Sequence, residues 1–139
     1  MFDAGNKCKR DGHGSHFVIM SDEAGIFDAF YFVRDRLSDR GNSFLSLIYT
    51  VSDKNIHPLF EQELSILEKR FSDDIIVHIL RIDPAKYYIK QELLEATINS
   101  NTLQVMKFSV FGNADFVNYV SGVLRFLDVK AFMINSKII

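Results

Sequence analysis

The sequence predicts an α/β domain built on a parallel sheet with helices on both faces. Three observations carry that expectation. Compact apolar runs, "FVIM" at Phe17–Met20, "SFLSLIYTV" at Ser43–Val51 and "DIIVHILRI" at Asp74–Ile82, have the near-continuous hydrophobicity of strands buried on both faces. Between such runs lie stretches of about ten to fifteen residues with helical periodicity, which implies right-handed crossovers between parallel strands. Turn residues fall at the junctions and seldom inside the runs.

In chain order, "MFDAGNKCKRDGHGS" at Met1–Ser15 has loop composition and is expected to be a flexible arm (1–15) ahead of one domain (16–139). The first strand is expected at His16–Met20. The first helix follows at Ala24–Ser38, where Ile26, Phe27, Phe30, Tyr31, Val33 and Leu37 form a broad apolar face. The cluster Ser38–Asn42 turns the chain into the second strand, Ser43–Val51. Pro58 suits the first turn of a second helix running to Arg70. The third strand, Asp74–Ile82, ends at Asp83-Pro84. A third helix at Ala85–Asn99, a fourth strand at Leu103–Phe111, a fourth helix at Ala114–Leu127 and a fifth strand at Lys130–Asn135 complete the pattern.

At 139 residues the chain has the length of one domain, and 13 Phe supply ample core. A net charge of -2 gives no general attraction to nucleic acid or to an anionic membrane. The single cysteine, Cys8, excludes an internal disulfide and fits a reducing compartment. No stretch reaches the roughly 18 apolar residues of a membrane span, and the N-terminus lacks an apolar signal core. A cytoplasmic location is expected.

Parallel sheets bind ligands beyond the carboxyl ends of their strands, where strand order reverses. That rim comprises Ser21–Ile26, Thr50–Asn55, Arg81–Tyr88 and Phe111–Ala114. Its candidate binding residues are Ser21, Asp22, Glu23, Ala24, Gly25, Ile26, Thr50, Ser52, Phe111, Gly112 and Asn113. No catalytic or metal-ligating residue is assigned.

These segments, taken together, resemble the C-terminal pyridine-nucleotide domain of the ferredoxin–NADP reductase superfamily. The family's G-G-T-G-I-A-P turn corresponds to Asp22-Glu23-Ala24-Gly25-Ile26-Phe27-Asp28, and its F-x-x-E-L helix to Phe60-Glu61-Gln62-Glu63-Leu64. Its G-R-I and leucine pair correspond to Tyr87-Tyr88-Ile89 and Leu93-Leu94. Its C-G-P corresponds to Phe111-Gly112-Asn113, followed by Phe116 and by Leu127-Asp128-Val129. The resemblance covers about Phe17 to Asn135. It implies a Rossmann-like domain with strand order 3-2-1-4-5. It further implies NAD(P)H as ligand, and FAD or FMN held by a separate flavin-binding domain or subunit. The implied activity is that of a flavoprotein oxidoreductase component; the alternative is a catalytically silent domain acting through protein contacts.

The departures concern chemistry. Asp22 and Glu23 stand where the family has glycines, placing bulk and two negative charges beside a pyrophosphate position. Phe111 replaces the cysteine beside the nicotinamide, and either narrows or fills that site. Ser52 stands nearest to the arginine that favours a 2′-phosphate. The C-terminal "NSKII" lacks the family's flavin-shielding aromatic. The acids read as caps of the first helix, with a polar ligand site as the alternative. A receiver-like phosphoacceptor pocket fits less well, because no Ser or Thr ends strand four. Cys8, His13 and His16 have metal-ligating side chains but match no standard zinc spacing. Tyr87 and Tyr88 can stack an adenine or serve as loop aromatics. His57 and His78 read as structural.

Overall fold

The computed structural model describes residues 14–38, 43–83, 91–99 and 105–139. Five strands, β1 (Ser15–Ser21), β2 (Ser43–Ser52), β3 (Ile75–Ile82), β4 (Val105–Gly112) and β5 (Ile134–Ile138), form one sheet in the order β3-β2-β1-β4-β5. Every pairing is parallel. The α/β class, the five-stranded sheet and the 3-2-1-4-5 order expected from the sequence are all present. β1 is central, with His16 paired to Phe44 on one side and Met106 on the other.

The described residues form four α-helices, α1 (Ile26–Ser38), α2 (Glu61–Arg70), α3 (Gln91–Asn99) and α4 (Ala114–Phe126). Alternation along β1 sends Phe17 and Ile19 to the α1–α2 side and Val18 and Met20 to the α3–α4 side. Ile26, Ala29, Phe30, Val33 and Leu37 of α1 repeat at three and four residues and are buried against the first side. Phe116, Val117, Val120 and Leu124 of α4 do the same on the second. Asn113 caps α4 by accepting the Phe116 N–H at 2.9 Å. The helix ends where Asp128 takes a left-handed conformation (φ 68°) and Val129 N–H returns to the Leu124 carbonyl.

Two elements differ from expectation. The helix placed from Pro58 begins instead at Glu61, because Phe60 adopts φ 67° and its ring stacks on Phe30 at 4.2 Å. A bulky residue in left-handed geometry is strained, and the ring stack opposes that strain. The strand expected at Lys130–Asn135 begins only at Ile134. Ala131–Met133 form a 3₁₀ turn, and pairing with β4 starts at Phe108–Ile134. The run "AFMI" reads as strand, but the turn packs Met133 against the α3–α4 core and leaves Phe132 outside.

The arm at Met1–Ser15 lies outside the described residues except for its last two. Gly14 accepts the Val105 N–H, and Ser15 already belongs to β1. Asp39–Asn42, the start of the third helix, and Leu103 also lie outside them.

Candidate functional site

Three strand ends and the start of α4 surround a cleft of about 310 Å³ on the α3–α4 side of the sheet. Asp22, Glu23 and Ala24 enter it from the β1–α1 turn. Thr50, Val51 and Ser52 come from β2, Ile82 from β3, and Asn113 and Phe116 from α4. Its position, beyond the carboxyl ends beside the β1–β4 switch point, is where a sheet of this order binds ligands.

The switch point itself is closed by direct backbone contact. A Cβ on Gly25 would lie 2.3 Å from the Phe111 carbonyl carbon and oxygen and 2.6 Å from the Gly112 nitrogen. Only glycine permits that approach. Asp22 completes the seal. Its Oδ1 accepts the Gly25 N–H at 2.9 Å, and its Oδ2 accepts the Asn113 N–H at 3.1 Å. Its carboxyl leans on Gly112, where an added Cβ would meet Oδ1 at 2.6 Å. One carboxylate therefore satisfies two backbone donors, one in its own turn and one 91 residues further along the chain. Such donors are what an anionic ligand would use at this place.

Glu23 turns the other way. Its Oε1 accepts the Ser52 N–H at 3.0 Å, and its Oε2 accepts from Asn55 Nδ2. Asp22 caps the start of α1 as expected, through the N–H of Gly25, whose carbonyl accepts the Ala29 N–H; Glu23 does not cap it. Together the two acids tie the β1–α1 turn to the ends of β4 and β2. Arg81 donates to the Asn55 carbonyl and stands 3.9 Å from Glu61, so the nearest guanidinium is engaged beside the cleft and does not line it.

The charge at this end is felt below the surface. Tyr49 is fully buried, and its hydroxyl has no hydrogen-bond partner among the described residues. Burial, then the negative charges of Glu23, Asp22 and Glu61, push its pKa up to about 12. The Leu59 backbone pulls slightly the other way, without completing a hydrogen bond. Thr50 donates to the Ser21 carbonyl at 3.4 Å, and Ser21 donates to the Asp22 carbonyl at 2.7 Å.

Of the residues expected to bind, Asp22, Glu23, Ala24, Thr50, Ser52 and Asn113 line one cleft. Ser21 lies buried beneath it, Gly25 and Gly112 form the backbone contact, and Ile26 belongs to the core. Phe111 points to the opposite side of the sheet, 6.0 Å from the Phe32 ring. Phe116 was missing from the expected set; its place just after the fourth strand was the available signal. Tyr87 and Tyr88, Cys8 and His13 fall outside the described residues. His16 is buried in β1 and bonded to Ser46 Oγ at 2.8 Å, in a strand rather than a metal-binding loop. Burial lowers the pKa of His78, opposed by Glu68.

No protein-family model and no curated protein matches this sequence. Solved structures do. A mutant ferredoxin-NADP+ reductase from Plasmodium falciparum aligns with a TM-score of 0.69 at 15% identity, over 90% of this chain and 52% of that one. A related mutant, solved with 2'P-AMP, aligns at 0.63 and 12%, over 90% and 53%. The flavohem-like FAD/NAD binding domain of nitric oxide dioxygenase from Vibrio cholerae O1 biovar El Tor aligns at 0.55 and 18%, over 88% and 50%. The chain thus spans about half the length of the structures it matches, and shares their fold. No helix among the described residues is long and apolar enough to cross a membrane.

Proposed function

We propose that this domain is the nucleotide-domain half of a flavoprotein oxidoreductase, working beside a flavin held by another domain or subunit. The observation that carries this reading is the cleft itself: four rim segments converge at the carboxyl ends of a 3-2-1-4-5 sheet. The matched structures support it through the NADP+ and FAD/NAD of their names, and through the half of their length that this chain does not cover. NAD(P)H is the ligand class proposed.

The residues do not fit a pyrophosphate as they stand. The lining contains two carboxylates and no cation among the described residues. Two like charges about 4 Å apart repel by about 1 kcal/mol in water and about 4 kcal/mol near a protein surface. Asp22 also holds two of the donors such a ligand needs. The isolated domain is therefore expected to bind NAD(P)H weakly. The same observation favours the second reading, a silent domain that retains the fold and acts through protein contacts.

Calorimetric titration of NADH and NADPH into the chain and into Asp22→Gly separates the two. Weak binding that tightens about tenfold or more in the variant supports the nucleotide module. No detectable heat in either protein, with the variant still folded, leaves the silent reading.

A further inference from the structure

A second concavity lies at the other end of the sheet and has the opposite electrostatic character. It is a groove of about 530 Å³ between α1, the start of β4 and the 3₁₀ turn before β5. That volume suits a small organic ligand. Two cations enter it from different elements and share one ring. Arg36 of α1 lies 4.5 Å from the Phe17 ring centre and 5.2 Å from that of Phe32. Lys107 of β4 lies 5.8 Å from the Phe17 ring. Among the described residues no carboxylate lines the groove, and neither cation forms an ion pair. Phe132, 88% exposed, stands on the wall, and Asn135 adds a polar group.

Two positive charges gathered over one ring repel each other, and an anion between them would relieve the repulsion. Phe132 offers a face for an apolar body. We infer that this groove is a binding site for a small aromatic anion, its carboxylate, phosphate or sulfonate held between Arg36 and Lys107 and its ring against Phe132. Charge complementarity selects an anion over a neutral apolar guest. The site is separate from the nucleotide cleft and does not depend on how that cleft functions.

The test uses the fluorescent aromatic sulfonate 8-anilinonaphthalene-1-sulfonate and its uncharged relative N-phenyl-1-naphthylamine, titrated into the full chain. Saturable binding of the sulfonate at one site is expected, about tenfold or more tighter than the uncharged probe. Lys107→Gln, a change at an exposed residue, is expected to weaken the sulfonate several-fold with an unchanged thermal midpoint. The double variant Arg36→Gln with Lys107→Gln should abolish it. Because the Arg36 guanidinium packs on two rings, the single lysine variant carries the test if the double variant does not fold. Phe132→Ala should weaken both probes. Displacement of the sulfonate by 2-naphthoate or by naphthyl phosphate supports the proposal and identifies the preferred headgroup; displacement by neither overturns it. Equal affinity for the two probes, or indifference to Lys107→Gln, also overturns it.

Discussion

The two ends of the sheet solve the problem of charge in opposite ways. At the carboxyl end the chain supplies its own anion: Asp22 lies on the Gly25 and Asn113 amides, and Glu23 on the Ser52 amide. At the amino end Arg36 and Lys107 gather over Phe17 with no counter-ion among the described residues. An occupied anion position and an open cation pair on one small scaffold show that position in a fold does not fix the sign of a site. A few side chains at the strand ends do.

The largest effect is expected at the backbone contact that seals the first end. Gly25→Ala must push its methyl into the Phe111 carbonyl, which is backbone and cannot swing aside. A loss of about 3 kcal/mol is expected, a fall in thermal midpoint of about 10 °C. A near-native midpoint would show that the two loops are not in contact.

Asp22→Gly comes next. It leaves two backbone donors without their acceptor and adds chain entropy, for a cost of about 2 kcal/mol measured by urea unfolding. Stability should fall while NADPH affinity rises, a trade that no ordinary surface substitution produces.

Tyr49 measures the same charge from beneath. Its folded pKa of about 12 lies above the ordinary value of 10.0, so the folded state holds the proton longer than the unfolded chain. Its contribution is intact below about pH 10 and is lost as pH rises from there toward 12. The loss should be on the order of 1–2 kcal/mol in denaturation at stepped alkaline pH. Tyr49→Phe should flatten that slope and cost little at neutral pH, because the hydroxyl has no partner among the described residues. An unchanged slope would place the alkaline sensitivity elsewhere.

The smallest effect tests the other end by giving it what the first already has. Lys107→Glu supplies Arg36 with an internal counter-ion and removes the like charge. Stability should rise by about 0.2–1 kcal/mol, and the aromatic sulfonate should no longer bind. A stability loss would mean that the lysine stem packs in the groove more than its charge matters.

Much of the fold could be read from the chain because burial on two faces demands long apolar runs. β1 and β2 are such strands, and the helical spacing of Ile26, Phe30, Val33 and Leu37 returns in the buried face of α1. The edge strand was harder. β5 has one neighbour, little burial and no continuous run, so the more apolar "AFMI" drew the assignment away from it. The start of α2 was hidden as well. Pro58 is a local signal, whereas the left-handed Phe60 is held by a ring 30 residues earlier in the chain.

By itself the sequence determined the class, the number of strands and helices, and which turns would stand at the rim. Those properties follow from periodicity and turn chemistry, which act over a few residues. The tertiary structure alone decided what the rim residues do there. Asp22 as an isolated residue reads as a helix cap, a ligand or a repellent. Its role as an acceptor for Asn113 exists only because parallel pairing brings β4 beside β1. Likewise nothing local joins Arg36 to Lys107. They meet over Phe17 because a helix and a strand distant in sequence pack on the same face of the sheet. Local propensity sets elements, but the electrostatics of a site depends on distances that only packing creates.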